Sequence, residues 1–395
     1  MSLVARLTLA LLLITAFATP LLAQRHTDLI EGEDRLGITT MMYYTYQDWS
    51  ETLKNKGGEF RFDSFRLWAQ TEFSENFYAS AQYRLYDGWE TPHHLWIGHQ
   101  FASGNLKLGQ TWVPFGIHYA PYDDWGNIPY YVGLEDDYDY GLSWDYTPDS
   151  PLALNLGFFK NQQLASDSRM RYDTDIFSGG PGADDIIAGR KANEETNQLN
   201  ARLAWSLPVG DGAMELAVSG LWGQIYNQET TEFGTRQAYA AHANLSSGPW
   251  HAYLQGTSYD YTQKLPDTAL PGEEDWLNVA SWNFAYEIPR KASLLSTGAA
   301  YDLNGEKLTV HANYSRLTGG TSEADSWLWT GGLRSFWQNV DVFLEAYYGR
   351  NDPQLSGEAS GYGRDADQTD FRIDLRFFYR LSLVKAKQQP KASWR

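Results

Sequence analysis

Apolar and polar residues alternate along most of this chain with a period of two, which is the pattern of a β-strand with two different faces. The clearest example is FRIDLRFFYRL at positions 371–381, where odd positions are apolar or aromatic and even ones are charged, apart from Phe378. A shift by one residue would turn three arginines onto the apolar face, which in a bilayer costs about 2–4 kcal/mol for each. The register of this strand is therefore well determined.

The same alternation predicts 16 strands between residues 38 and 381, and their connections alternate between short and long. Residues 207–212 and 246–249 form short connections, whereas 227–235 and 262–275 form longer ones. An even number of strands of about 10 residues with this alternation is typical of bacterial transmembrane barrels. We predict an all-β fold, a transmembrane antiparallel β-barrel of 16 strands.

One further segment, WLNVASWNFAYEI at positions 276–288, is also strand-like. A single additional spanning strand would make the number odd, and an open sheet edge cannot be satisfied in lipid. We therefore place this segment above the membrane or in an external loop. The alternative is a barrel of 18 strands.

The first 23 residues have the organisation of a secretory signal peptide. Arg6 supplies the positive start, residues 7–17 form a short apolar core, and Ala23 suits cleavage. The apolar core is shorter than the roughly 20 residues of a spanning helix, although a retained anchor is the alternative. We predict a signal peptide at 1–23, one barrel domain at 24–381 and a basic periplasmic tail at 382–395.

Composition agrees with an exported barrel. The chain has no cysteine, which excludes disulfides and thiolate chemistry. Its aromatic content is 15% while its mean hydropathy is only -0.49, a combination that fits strands with lipid-facing and lumen-facing sides and aromatic girdles. The formal net charge of -18 argues against nucleic acid as a partner.

The prediction of a pore rests mainly on a long loop between two short strands of alternating residues. Residues 104–146 open and close with strand patterns, and aromatic, proline, glycine and acidic residues lie between them. We predict that this third loop, from Gly116 to Asp139, folds into the bore and narrows it; the alternative is an ordinary surface loop. Its candidate constriction residues are Asp123, Asp124, Glu135, Asp136, Asp137, Asp139, Tyr119 and Trp125.

Basic residues on the polar faces of the strands form the candidate opposite wall. An acidic loop facing a basic wall would give a transverse field that orients polar solutes. The loop aromatics either provide a stacking surface for solutes or pin the loop to the wall by burying apolar area. The candidate basic residues are Arg66, Arg84, Lys107, Arg202, Arg372, Arg376 and Arg380.

The run Gly109-Gln110-Thr111-Trp112-Val113-Pro114-Phe115-Gly116 resembles a stretch of the phosphate-selective-type (O/P-like) porins of Gram-negative outer membranes. This resemblance implies a 16-strand barrel, usually a homotrimer, with its third loop in the pore and with small hydrophilic solutes passing through. Two features depart from the family. The chain continues about 16 residues past the aromatic end of its last strand, and few lysines lie on the strands, which puts phosphate in doubt.

We therefore predict an outer-membrane porin for passive diffusion of small hydrophilic solutes or ions. Its expected partners are membrane lipid, lipopolysaccharide and two further copies of the chain, without cofactor, metal site or catalytic residues. Anion or cation preference stays open, depending on whether the arginines or the loop acids dominate. The alternatives are a barrel enzyme, a non-conducting adhesin or structural barrel, and a soluble β-sandwich; the eight scattered histidines define no catalytic pattern.

Overall fold

The computed structural model describes residues 35–117, 127–148, 150–164, 170–177, 193–267, 269, 271–303, 308–319, 325–337, 339–356, 361–362 and 369–384. Within these ranges the chain is almost entirely β-structure. Two short helices occur, α1 at Glu51–Lys56 and α2 at Pro353–Ser356. The strands are β1 Arg35–Gln47, β2 Glu59–Ser74, β3 Phe77–Tyr86, β4 Glu90–Phe101, β5 Gly104–Trp112, β6 Tyr138–Tyr146, β7 Leu152–Asn161, β8 Asp175–Ile176, β9 Asn193–Val209, β10 Gly212–Asn227, β11 Glu232–Ser247, β12 Trp250–Thr262, β13 Trp276–Ser281, β14 Phe284–Pro289, β15 Lys291–Asp302, β16 Leu308–Gly319, β17 Ser326–Trp337, β18 Val340–Arg350 and β19 Thr369–Val384.

Sixteen of these strands form one closed barrel, which confirms the predicted fold and strand number. Each strand pairs antiparallel with its neighbours in the chain, and β19 closes the ring on β1 with Ile38 opposite Leu381. Closure leaves no strand edge without a partner, as a bilayer requires. Short turns connect the strands at one end of the barrel and longer loops at the other, which we call the short-turn end and the long-loop end.

The alternation of residue types puts apolar side chains outside and polar ones inside. On β19, Arg372, Asp374 and Arg376 are buried in the barrel, whereas Tyr379 is 47% exposed on the outer surface. Aromatic side chains are concentrated outside near the strand ends, where girdles of a membrane barrel lie. Examples at the short-turn end are Trp250 and Trp337.

The predicted segment boundaries need one adjustment. β19 continues to Val384, three residues into the predicted periplasmic tail. The predicted signal peptide and residues 385–395 lie outside the described residues. No helix among the described residues is long and apolar enough to cross a membrane.

The strand-like segment 276–288 lies outside the barrel sheet, in the loop between β12 and β15, as predicted. It forms the hairpin β13–β14, and β8 from the loop after β7 joins its free side with Val279 opposite Ile176. Trp282 and Asn283 turn the hairpin with φ values of 50° and 70°. Both faces of β13 are buried, so this small sheet packs against other parts of the protein.

A hydrophobic core lies at the long-loop end of the barrel interior, where the strand pattern alone predicts a polar lumen. Wall residues such as Leu221 and Ile225 of β10 and Ala238 of β11 are completely buried there. Their partners include Ile128 and Tyr131 of the loop between β5 and β6. The core therefore joins the barrel wall to an internal loop.

Candidate functional site

The loop between β5 and β6, residues 113–137, is called loop three below. Its two ends meet where Val113 N donates to the carbonyl oxygen of Asp137 at 2.8 Å. Gly116 then turns the chain inward with a φ of 59°, and a Cβ there would lie 2.7 Å from the side chain of Gln255. A glycine suits this position, because the conformation is left-handed and the space is already occupied.

Loop three crosses the interior of the barrel. It leaves from β5 and β6 and contacts side chains on the wall from β10 to β16, and β16 lies on the opposite side of the ring. Backbone and side-chain groups of the loop donate to these wall oxygens. The contacts are Gly116 N to Ser219 Oγ (3.1 Å), Ile117 N to Gln255 Oε1 (2.7 Å), Asn127 Nδ2 to Ser296 Oγ (3.3 Å) and Ile128 N to Ser315 Oγ (3.3 Å).

The second half of loop three is fixed by buried contacts. A 3-10 turn at Tyr130–Val132 ends at Gly133, whose carbonyl oxygen accepts from Arg236 Nη2 at 2.8 Å. Tyr286 of β14 donates to the carbonyl oxygen of Tyr131 at 2.7 Å. Tyr130 and Tyr131 are at most 5% exposed, so these two aromatics pin the loop.

The predicted constriction residues of loop three divide into three groups. Asp123, Asp124, Tyr119 and Trp125 lie outside the described residues. Glu135, Asp137 and Asp139 are buried, the last of them as the second residue of β6. Asp136 is partly exposed and accepts a hydrogen bond from the Tyr172 hydroxyl.

The buried acids belong to a larger cluster that sequence reasoning missed. Burial and the neighbouring charge of Asp175 raise the pKa of Asp137 well above its usual range, although Arg236 acts in the opposite direction. Burial, with the charges of Asp175 and Asp137, likewise raises the pKa of Asp173. The cluster consists of Asp137, Asp139, Asp173, Asp175, Glu195, Arg171 and Arg236.

All seven predicted basic residues point into the barrel, and most pair with acids of the wall. Arg376 donates to Glu345 at 2.8 Å and to Asp374 at 2.7 Å. Arg84 stacks over the ring of Tyr172 with its Cζ 4.0 Å from the centroid. The other pairs are Arg66 with Asp63, Lys107 with Asp145, Arg202 with Glu215, Arg372 with Asp374 and Arg380 with Asp341.

Among the loop acids and the predicted basic residues, Asp136 and Arg84 interact electrostatically, and both contact Tyr172. The arginine nearest to Asp137 is Arg236, at 4.0 Å, which was not among the predicted residues. Arg236 is followed on its face of β11 by Ala238 and Ala240 before His242, so the polar alternation used to find the others is weak around it. The only sequence feature that could have indicated Arg236 as a functional residue is its charge.

Partly exposed charges inside the barrel occur towards the short-turn end. The side chains of Lys107 and Asp145 are 20% and 19% exposed, with Nζ and Oδ2 3.1 Å apart. The Glu215 side chain is 31% exposed beside Arg202. The interior thus has a charged, partly exposed section near the short-turn end and a section crossed by loop three near the long-loop end.

Comparison with known proteins identifies the fold. No protein-family model matches the sequence, and no curated protein matches it. The outer membrane channel DcaP of Acinetobacter baumannii has a TM-score of 0.58 at 12% identity, covering 91% of this chain and all of that one. OmpT of Vibrio cholerae gives 0.53 at 11%, covering 88% and 97%, and Pseudomonas aeruginosa OccK2 gives 0.51 at 15%, covering 90% and 99%. The chain therefore has the fold of outer-membrane β-barrels.

Proposed function

We propose that this protein is an outer-membrane channel for small hydrophilic solutes or ions, narrowed by loop three. The observation that carries the proposal is the path of the loop, from β5 and β6 to Ser315 on the opposite wall. A loop that crosses the bore reduces its cross-section, and the width and charge of the remaining passage decide which solutes enter. The cell outer membrane is the corresponding location.

The similar structures support this proposal. DcaP is described as an outer membrane channel, and OccK2 was solved in complex with glucuronate. A sugar acid is a small hydrophilic solute, which is the class that a charged, water-accessible interior favours. The passage in this chain presents both signs of charge, at Lys107 and Asp145. We also propose that the chain is related to the phosphate-selective-type porins but passes a solute other than phosphate.

Single-channel recording in planar bilayers under a salt gradient tests the proposal. We expect steady open currents whose reversal potential reports the sign of the selectivity. Deletion of residues 119–135 should raise the conductance, because it removes the segment proposed to narrow the bore. Deletion of residues 265–271, in the loop between β12 and β15, is the control and should leave conductance unchanged. Folded, heat-modifiable protein without conductance would reject the channel in favour of an adhesin or structural barrel.

We also propose that the channel is a homotrimer in a membrane of lipid and lipopolysaccharide. The outer wall from β11 to β17 carries a depression of about 490 Å³ lined by small and aromatic residues, including Ala252, Ala312 and Trp329. One solved form of Vibrio cholerae OmpT is described as a trimer. We expect Ala312→Trp to dissociate the complex in detergent, measured by light scattering. Ala81→Trp on the opposite wall is the control, and an unchanged mass for Ala312→Trp would place the contact elsewhere.

One observation favours a second candidate, a hydrolytic barrel. Ser246 Oγ lies 3.0 Å from His251 Nδ1, and His251 Nε2 lies 3.1 Å from Asp302 Oδ2, at the short-turn end. A serine, a base and an orienting acid are the three members of a serine-hydrolase triad, but the ring nitrogens are exchanged here, because in that triad Nε2 faces the serine and Nδ1 faces the acid. A fluorophosphonate probe should label the protein but not Ser246→Ala if this activity exists. Absence of labelling in the folded protein would leave these residues as a polar cap on the strand ends.

A further inference from the structure

Five carboxylates converge at the long-loop end of the barrel interior, and they come from three separate stretches of the chain, 137–139, 173–175 and 195. Asp137 belongs to loop three, Asp139 to β6, Asp173 and Asp175 to the loop after β7, and Glu195 to β9. Only two guanidinium groups, those of Arg171 and Arg236, accompany them among the described residues. The cluster therefore has three more formal negative charges than positive ones.

Several oxygens of this cluster point at one another without a hydrogen-bond donor. The side chain of Asp139 is 1% exposed, and its Oδ1 accepts no hydrogen bond from the described residues. Neither carboxylate oxygen of Asp137 accepts one, although Arg236 Nη2 lies 4.0 Å from Oδ2. Asp175 uses Oδ2 for Arg171 at 2.7 Å, while its Oδ1 accepts nothing. Buried acceptors without donors are costly, and buried charges normally pair or coordinate metals.

We propose that Asp137, Asp139 and Asp175 together bind a divalent cation, and that calcium fits the site best. One oxygen from each residue can be chosen such that all three lie within 4.8 Å of one another. Ligands on opposite sides of a calcium ion with bonds of about 2.4 Å are about 4.8 Å apart. Magnesium demands shorter bonds in strict octahedral geometry and retains several waters, which suits a dry cluster of carboxylates less well.

The cation would connect the stretch where loop three enters β6 with the distant residue Asp175. Its ligands would come from the end of loop three, from the wall strand β6 and from β8, which is part of the small sheet with β13 and β14. Binding would offset two of the three excess negative charges and hold loop three against that sheet. Ion binding at this site is a property of the folded chain and is independent of whether the barrel conducts.

The competing explanation is that the carboxylates hold protons in place of a metal. Under it, replacing one carboxyl group by an amide removes the cost of protonating that group at neutral pH and stabilises the protein, and calcium has no effect. Under metal binding, removing one ligand abolishes the response to calcium. Asp139→Asn separates the two explanations, because Oδ1 of this side chain accepts no hydrogen bond from the described residues and the two side chains have the same shape.

The experiment compares the purified, folded protein with Asp139→Asn and with Asp267→Asn, which removes an exposed loop carboxylate. After treatment with EDTA, each is titrated with calcium chloride by calorimetry in detergent, and its thermal unfolding is recorded with EDTA, millimolar calcium or millimolar magnesium. We expect saturable calcium binding to the unchanged protein and to Asp267→Asn, with a rise in Tm. Asp139→Asn should lose both the heat of binding and the rise in Tm.

Two results would overturn the proposal. One is the same Tm in EDTA and in calcium, with no heat of binding, for the unchanged protein. The other is a calcium response that Asp139→Asn retains in full. A larger rise in Tm with magnesium than with calcium would overturn the choice of ion. If Asp139→Asn does not fold, Asp137→Asn serves as the second variant with the same expected loss.

Discussion

Arg236 on β11 donates from Nη2 to the carbonyl oxygen of Gly133 in loop three, at 2.8 Å. The same guanidinium donates through Nη1 to Gln198 Oε1 at 2.6 Å and to Glu195. A charged side chain of the wall thus donates a hydrogen bond to the carbonyl oxygen at the end of the 3-10 turn in loop three. The bidentate, planar guanidinium makes this possible, because its several donors point in fixed directions.

We expect Arg236→Gln to destabilise the protein by about 3–5 kcal/mol, because it leaves Glu195 buried without its counter-ion. The free energy of unfolding from urea titration in detergent or bilayers measures this loss. Arg316→Gln is the matched control, since Arg316 pairs with Asp325 at the surface with its side chain 49% exposed. An exposed pair contributes about 0–1 kcal/mol. Equal effects of the two changes would contradict a structural role of Arg236.

The barrel itself could be predicted from the sequence because lipid imposes a period of two on every spanning strand. Strand β19 shows this directly: Arg372, Asp374 and Arg376 lie inside, as their positions predict. The segment 276–288 could be kept out of the barrel because closure requires an even number of strands, and its pairing with β8 could not be predicted. A pairing between two distant loops leaves no periodic signal in either.

The contents of the long-loop end were much less predictable. The alternation of residue types predicts that inward-facing side chains are polar. Leu221 and Ile225 nevertheless face inward, because they pack against loop three. The residues that meet Asp137 and Asp139 come from 173–175 and from 195, in a stretch that reads as an ordinary polar loop. Which distant side chains meet inside a barrel depends on the path of its loops, and composition does not encode that path.

Gly133 provides a test of how tightly loop three is held. Its φ is 70°, and a Cβ there would lie 2.6 Å from the carbonyl oxygen of Thr174. We expect Gly133→Ala to cost about 1 kcal/mol for the left-handed backbone and about 1–3 kcal/mol more for the clash. Gly57→Ala is the control, because Gly57 has a φ of 69° and nothing within 4 Å of a Cβ. Equal losses in the free energy of unfolding would mean that loop three can move away from Thr174.

Asp352 makes the stability depend on pH. It lies after β18 in the last long loop, and burial raises its pKa to about 7, against hydrogen bonds from Gln354 N and the Tyr362 hydroxyl that lower it. Because the folded pKa is above the unfolded one of about 3.9, the folded state keeps the proton longer than the unfolded state does. This contribution to stability is complete below about pH 4 and is lost as the pH rises to about 7.

We therefore expect Asp352→Asn to remove this dependence. Relative to the unchanged protein, the variant should gain stability between pH 4 and pH 7, by at most about 4 kcal/mol for a shift of roughly three pH units. Urea titrations at several pH values give the difference. Asp267→Asn, at an exposed loop acid, should follow the unchanged protein over the whole range. A constant difference between Asp352→Asn and the unchanged protein from pH 4 to pH 7 would refute the assignment.

The ion pair of Lys107 and Asp145 gives opposite predictions for its two members, which makes it the sharpest test of the charged passage. Both side chains are about one-fifth exposed inside the barrel, and Asn155 Nδ2 holds Asp145 Oδ1 at 2.8 Å. Asp145→Asn leaves the lysine charge unbalanced and should favour anions, whereas Lys107→Gln should favour cations. An ion about 4 Å from an unbalanced charge in water changes its energy by about 1 kcal/mol, or about fivefold in local concentration.

The reversal potential under a gradient of low salt measures these shifts, because concentrated salt would screen them. We expect the two single variants to move the potential in opposite directions and the double variant to return close to the starting value. Lys54→Gln is the control for Lys107→Gln, since Lys54 lies on the external helix α1 with its side chain 51% exposed. Shifts of the same sign for Asp145→Asn and Lys107→Gln would mean that permeating ions do not pass this pair, and that their route through the barrel lies elsewhere.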